Sequence, residues 1–357
     1  MSDKVRVGIV GCGVIGQKHA QAAAACPRVG LVAVADINQD AARKVADQYH
    51  VPRVYKSAAK LIADGEVDAV VLALIAGLRT KLAVKAFAAG KHVLIEKPAA
   101  MNAGQVRRMI AARGDRVGAC CSSRHRFLDS AKAATRLVGE GRLGHLRVVR
   151  ARAINAAGER PTNSPPVWRL KTQLNAGGIM SNWGCYDLDY LLGVTGWTLR
   201  PRHVLAHTWT IPPVFAGRVP ADSDGETHVA ALIQCDGGTV ITLDRAEYVA
   251  APADYAWQII GDEGALQMPL LPQKQAQLTH TAADADRGSV STVVWEGAES
   301  WDTVHAGPIA DFADAILDGR PPMTSLEHAL VVQTLTDAIY TSSRTGRPVK
   351  IKDTPAA

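Results

Sequence analysis

Residues 5–16 read Val5-Arg6-Val7-Gly8-Ile9-Val10-Gly11-Cys12-Gly13-Val14-Ile15-Gly16, and twenty residues after Gly16 a second apolar run, Leu31–Ala35, ends on Asp36. An apolar run of strand length leads directly into G-x-G-x-x-G, and the glycines open a helical pattern over 14–25. Each part has a physical task. Gly11 permits the tight turn, Gly13 lets the backbone approach a pyrophosphate, and Gly16 lets the helix pack against the sheet. The helix N-terminus at Val14 and Ile15 stabilises the phosphate charge. An acid at Asp36 accepts hydrogen bonds from the adenine ribose hydroxyls and repels a 2′-phosphate. Ile37 and Asn38 follow, with no arginine to receive that phosphate. The stretch therefore predicts a site for NAD rather than NADP. His19, on the same helix, reads equally as a group near the phosphates or as an ordinary helix-surface histidine.

Working outward, short apolar runs at Leu31–Ala35, Ala69–Leu74, His92–Ile95 and Val117–Cys120 alternate with helical patterns at 39–49, 79–89 and 102–113. Alternation of this kind means a parallel sheet with crossover helices, and the unbroken apolarity of the runs fits strands covered on both faces. After residue 123 the pattern changes. A helix over 129–140 ends at Gly141 and is followed by strand-like runs at 146–154, 202–211, 226–235, 239–248 and 255–260. Gly237-Gly238 reads as a hairpin turn. The stretches 156–166 and 212–225 read as loops, and helices over 306–318 and 325–343 close the chain. The expected architecture is α/β: a Rossmann domain over 1–123, then an α+β domain over 124–357 with an open, mostly antiparallel sheet, serving substrate binding and oligomerisation.

The bulk numbers agree with this. The 357 residues are 47% hydrophobic and 21% charged, with a net charge of +6. The positive excess is spread along the chain and suits an anionic dinucleotide better than nucleic acid, which calls for a concentrated basic stripe. The six cysteines form no C-x-x-C, so they read as reduced thiols. The N-terminus runs straight into a strand, without the pattern of a signal peptide or twin-arginine leader. No apolar run reaches 18 residues. A cytoplasmic protein with no membrane partner is expected. No metal is expected either: the adjacent Cys120 and Cys121 would point to opposite faces of a strand, leaving His125 without a ligand set.

Two further segments carry chemistry. His92-Val93-Leu94-Ile95-Glu96-Lys97-Pro98 ends a strand in an ionisable pair followed by proline. Ligands of such sheets bind at the carboxyl ends of the strands, where Lys97 would point. In Gly177-Gly178-Ile179-Met180-Ser181-Asn182-Trp183-Gly184-Cys185-Tyr186-Asp187-Leu188-Asp189, a helix opening after the glycines would put Asn182, Tyr186 and Asp189 on one face. Arg124, His125 and Arg126 follow the last Rossmann strand, and Trp168 and Arg169 precede the second segment. A tryptophan face with arginines suits a polyhydroxylated ring.

Together these features resemble the Gfo/Idh/MocA oxidoreductase family over nearly the whole chain, including Asp311-Phe312-Ala313-Asp314-Ala315-Ile316 through Gly319-Arg320-Pro321, Ala338-Ile339-Tyr340-Thr341-Ser342-Ser343 and Gly346-Arg347-Pro348-Val349. The resemblance implies a sugar or cyclitol dehydrogenase-like enzyme, a substrate pocket between the domains, and a homodimer or homotetramer built on the open sheet. It implies that Lys97 is the catalytic-site lysine, that Glu96 and Lys97 lie at the cofactor, and that Lys97–Pro98 is a cis peptide. Four departures stand out. Where the family helix reads D-x-G-x-H-x-x-D, this chain has Asn182 for the first aspartate and Tyr186 for the histidine, as in sugar-oxidoreductase branches. The family's Thr-Pro after the fourth strand is Leu74-Ile75, and its later histidine is Arg79.

Oxidising an alcohol requires a hydride acceptor, supplied by the cofactor, and a base for the hydroxyl proton. Tyr186 is the base candidate: free tyrosine, with a pKa of about 10, is shifted toward phenolate by a nearby lysine ammonium. Lys97 would lower the Tyr186 pKa and hold the substrate oxygen; alternatively Lys97 is itself the acid/base and Tyr186 positions substrate. Asn182, Asp189, Arg124, Arg126, Trp168 and Arg169 are the substrate-binding candidates. The expected activity is hydride transfer between NAD and a ring hydroxyl or ketone of a sugar, cyclitol or glycoside. Two other readings are a glycosidase or lyase that recycles its NAD within each turnover, and a non-catalytic NAD-binding regulator.

Overall fold

A computed structural model describes residues 3–160 and 165–352. The chain divides into two compact units, 1–124 with 301–330, and 125–300 with 331–357. Residues 301–330 thus fold with the first unit, although a boundary at 123 places them in the second.

The first unit is built on strands β1 (Val5–Val10), β2 (Val29–Ala35), β3 (Arg53–Tyr55), β4 (Ala69–Leu72), β5 (His92–Ile95) and β6 (Gly118–Cys120). They lie in the order β3-β2-β1-β4-β5-β6, parallel throughout. The intervening helices are α1 (Val14–Ala25), α2 (Gln39–Tyr49), α3 (Ala58–Ala63), α4 (Ala76–Ala88) and α5 (Ala103–Arg113). Strand runs without polar alternation are buried on both faces. One core joins Val5, Val7 and Ile9 to α1 and α2; the other joins Val10, Leu72 and Ile95 to α3, α4 and α5. Two helix starts are fixed by asparagine caps: Asn38 accepts the N–H groups of Asp40 and Ala41, and Asn102 that of Gln105. The late helix over 301–318 puts Ile309, Phe312 and Ala313 into the first core, which explains its membership of this unit. The start of the last helix adds Leu326, Ala329 and Leu330 to the second.

The second unit opens with α6 (Asp129–Gly139) and contains β7 (Leu146–Ala156), the short α7 (Thr172–Asn175), α8 (Cys185–Val194) and β8 (Pro201–Trp209). It continues through β9 (His228–Cys235), β10 (Val240–Val249), β11 (Asp254–Gly261), β12 (Gly264–Met268), β13 (Ala276–Asp284) and β14 (Gly288–Gly297). Then come α9 (Trp301–Asp318), which belongs to the first unit, α10 (Leu326–Thr345), shared between the units at 330/331, and β15 (Val349–Lys350). The nine strands order as β14-β13-β12-β11-β7-β10-β9-β8-β15, with only the β7–β10 pair parallel. The β9–β10 hairpin turns at Gly237 and Gly238, both with positive φ. Every residue of α8 is buried. The other face of the sheet shows Leu205, Trp209 and Leu232, each nearly half exposed. Of the expected loops, 212–225 holds a short helical turn, Pro213–Arg218, and residues 161–164 of the loop over 156–166 lie outside the described residues. No helix among the described residues is long and apolar enough to cross a membrane.

Candidate active site

The glycine turn has the geometry its sequence requires. Gly11 sits at φ +96°, and a Cβ there would stand 2.4 Å from the Ala73 carbonyl oxygen. A Cβ on Gly16 would fall 1.9 Å from the Gly11 carbonyl, while one on Gly13 would meet only open space. So Gly16 is compelled by packing, and Gly13 leaves room for a close-approaching ligand. Gly13 caps α1 without a side-chain hydrogen bond, and the first turn carries no acid. The N–H groups there, at Val14 and Ile15, suit an anion. Val14 and Ile37 are each about 85% exposed, flanking the turn and Asp36. These residues fit a dinucleotide: a cradle for its pyrophosphate and a carboxylate at the end of β2 for its ribose.

Lys97 follows β5. Its N–H donates to Glu96 Oε2 at 3.0 Å, its carbonyl accepts Arg79 Nη2 at 3.1 Å, and the Lys97–Pro98 peptide is cis. Arg79 also donates to the Pro98 carbonyl. Glu96, expected at the cofactor, is buried, and its carboxylate accepts His19 Nε2 at 2.9 Å and the Arg124 guanidinium. Burial alone would raise the Glu96 carboxyl. Arg124, with help from His19 and Lys97, instead holds it well below the usual carboxylate range. His19 is therefore no surface histidine; it is 2% exposed, turned inward because Glu96 supplies its partner. Arg124, expected on substrate, is 4% exposed and pairs with Glu96, its Nη1 lying 3.4 Å from His305 Nδ1. Cys120 and His125 are not the cysteine–histidine grouping that forms: His19, Glu96 and Cys121 come together within 4.8 Å. Burial pushes the Cys121 thiol well above its ordinary pKa, and the three groups cluster around the buried Glu96–Arg124 ion pair.

In the second unit the glycine-led segment starts with a π-helical turn, Met180–Gly184, before α8. Its wider hydrogen-bonding loop alters the simple α-helical register expected between Asn182 and Tyr186. The turn is held by Glu226, whose carboxylate accepts the N–H groups of Gly178 at 2.8 Å and Met180 at 2.9 Å and the Tyr340 hydroxyl at 2.8 Å. A Cβ on Gly178 would lie 1.9 Å from the Glu226 carbonyl oxygen, so glycine is needed there. Asn182 and Tyr186 are both buried. The Tyr186 ring stands edge-on to His125, with centroids 4.9 Å apart, and packs against Trp183 at 5.6 Å.

Three of the remaining candidates are paired within the fold. Asp189 is fully buried and accepts Arg126 Nε at 2.6 Å. Neighbouring Asp187 holds Arg245 and the Trp257 indole N–H. Arg169 pairs with Glu247, and Trp168 is 39% exposed. Sequence reasoning missed Glu226, Arg79, His19 as a Glu96 partner, and the aromatic neighbours of Tyr186. Arg79 carried a visible signal, as a departure from the family's histidine. Glu226 had one too, as the last of three closely spaced acids, at the head of a strand run. Neither signal names a partner.

The cradle at the end of β1, the acid closing β2 and the lysine after β5 define an NAD-binding oxidoreductase. Residues 5–122 match the oxidoreductase family with an NAD-binding Rossmann fold, and residues 131–267 match the GFO/IDH/MocA C-terminal domain. The chain belongs to the Gfo/Idh/MocA oxidoreductase family. It is 24% identical to a myo-inositol 2-dehydrogenase of Thermotoga maritima, covering 98% of this chain and 99% of that protein. It is 30% identical to a dTDP-3,4-didehydro-2,6-dideoxy-α-D-glucose 3-reductase of Streptomyces violaceoruber, covering 74% of this chain and 72% of that protein. In fold it resembles a levoglucosan dehydrogenase solved with NADH and L-sorbose, with a TM-score of 0.84 at 21% identity, covering 99% of this chain and all of that one.

Proposed function

We propose that the chain is an NAD-dependent dehydrogenase acting on a ring hydroxyl, or in reverse a ring ketone, of a sugar, cyclitol or glycoside. The observation that carries this reading is Lys97 at the carboxyl end of a Rossmann strand, its peptide held at both N–H and C=O, in the unit that carries the dinucleotide cradle. Relatives that act on inositol and on a deoxysugar nucleotide support the substrate class. Bound NAD supplies the hydride acceptor. Lys97 holds the substrate oxygen and favours the phenolate of Tyr186, which takes the hydroxyl proton. Asn182 orients the substrate, and its neutrality leaves the tyrosine shift unopposed by a carboxylate. Trp168 offers a ring face. The reading requires Lys97 and Tyr186 to meet on one substrate. The active form is a homodimer or homotetramer joined through the bare sheet face with Leu205, Trp209 and Leu232, which sedimentation would test.

The test of the activity is a screen for NADH formation across monosaccharides, inositols and glycosides. Stoichiometric free NADH with a ring ketone as product supports the reading. Bond cleavage without net NADH would replace it with internally recycled redox chemistry, and inertness toward every substrate with NAD bound would replace it with a sensor.

A further inference from the structure

We propose that Arg79 is a positioning residue for Lys97, a role that rests on the activity proposed above. Arg79 lies in α4 and is 1% exposed. Its two terminal nitrogens donate to consecutive backbone carbonyls, those of Lys97 and Pro98. Burying a guanidinium costs several kcal/mol unless its donors are well placed, so a fold that needed only a filled space here would use an apolar side chain. The fork geometry also matters. A guanidinium presents rigidly spaced N–H groups that bridge two carbonyls at once, and charge-assisted bonds of this kind are about twice as strong as neutral ones. A lysine ammonium in the same place reaches one carbonyl well, and a neutral imidazole has a single donor.

A second observation meets the first from the other side of the same residue. The Lys97 N–H is held at 3.0 Å by Glu96, and that carboxylate is itself pinned by His19 and Arg124. Both polar groups of the Lys97 main chain are thus tied to buried ionic side chains from separate elements: α4 on the carbonyl side, α1 and the segment after β6 on the amide side. Fixing a catalytic group's backbone fixes the origin of its side chain. Displacements of about 1 Å in a reacting group cost on the order of 10²-fold in rate.

The experiment compares wild type with Arg79→Lys, Arg79→Ala and, as a control, Lys97→Ala. It measures kcat, KM, NAD affinity by tryptophan fluorescence, and amide hydrogen exchange without ligand. In Arg79→Ala, kcat falls about 10- to 100-fold while NAD affinity holds, and exchange accelerates in the peptide containing Lys97 but not in the one containing Gly11–Gly16. Arg79→Lys recovers part of both losses. Wild-type kcat in Arg79→Ala with unchanged exchange at Lys97 overturns the proposal, as does accelerated exchange throughout the first unit with a matching loss of NAD affinity. If Lys97→Ala keeps turnover, the proposed activity is what fails. If no substrate turns over at all, the exchange pattern alone decides whether Arg79 anchors Lys97.

Discussion

Asp36 Oδ2 accepts the backbone N–H of Cys12 at 2.7 Å, so the acid that closes β2 also braces the glycine turn. Its other oxygen accepts the Asn38 N–H at 2.8 Å. Cys12 is fully buried, and removing the carboxylate leaves its N–H without this acceptor at a cost of about 1–3 kcal/mol. Asp36→Ala is therefore expected to weaken NAD binding through both the ribose and the shape of the turn. Wild type is expected to bind NAD more tightly than NADP, because the carboxylate opposes a 2′-phosphate. Titration of both cofactors checks this; tighter binding of NADP would show that Asp36 braces the turn and nothing more.

Arg124 and Glu96 form a buried ion pair. Removing one member of such a pair costs about 3–5 kcal/mol, because the other charge is left in a medium that cannot solvate it. Arg124→Met should lower unfolding free energy by about that amount in denaturant titration. Arg124→Met combined with Glu96→Gln should recover much of the loss, since the two residues are directly coupled. If Arg124→Met instead raises KM and leaves stability alone, Arg124 is a substrate ligand as the sequence suggested.

Those two cases mark what was legible in the sequence. The backbone demands at Gly11 and Gly16 could be read because each answers a local steric requirement at fixed spacing. The buried parallel strands could be read because their apolar runs are continuous. Strand β3 is three residues long, and β13 and β14 hold few large apolar residues on a half-exposed ribbon, so no apolar run marked them. The partners of Arg124, Arg126, Asp189 and Arg169 are set by tertiary contacts 28 to 78 residues apart. A charged residue near a candidate site looks the same in sequence whether it faces a ligand or an internal counter-ion. The fold of α9 onto the first sheet was hidden for the same reason: its order in the chain says nothing about which core takes Phe312.

Acid should destabilise the first unit in two stages. Burial, then the charge of Arg124, pushes His305 down from 6.5 to about 4. The unfolded chain therefore takes up this proton first as pH falls, and the stability His305 contributes is present above about 6.5 and lost toward 4. Glu96 has its folded pKa depressed from 4.5, so its contribution is present above 4.5 and lost at lower pH. Burial pushes His92 down from 6.5 as well, so the melting temperature should fall on acidification from 6.5, and His305→Gln should reduce the upper stage without abolishing it while leaving the lower one. An unchanged upper slope in His305→Gln would assign that stage to other groups.

The central claim is proton transfer by the Tyr186 phenol under the influence of Lys97, and kcat/KM against pH for wild type and Tyr186→Phe tests it most directly. The substitution keeps the ring that packs on His125 and Trp183 and removes only the hydroxyl. In the oxidative direction, wild-type kcat/KM should rise with pH along a limb that the Lys97–Tyr186 pair owns jointly. Tyr186→Phe should lose about 10²- to 10⁴-fold in kcat and lose that limb, with NAD affinity unchanged. A variant that slows only a few-fold and keeps the limb would contradict the account and make Lys97 the acid/base.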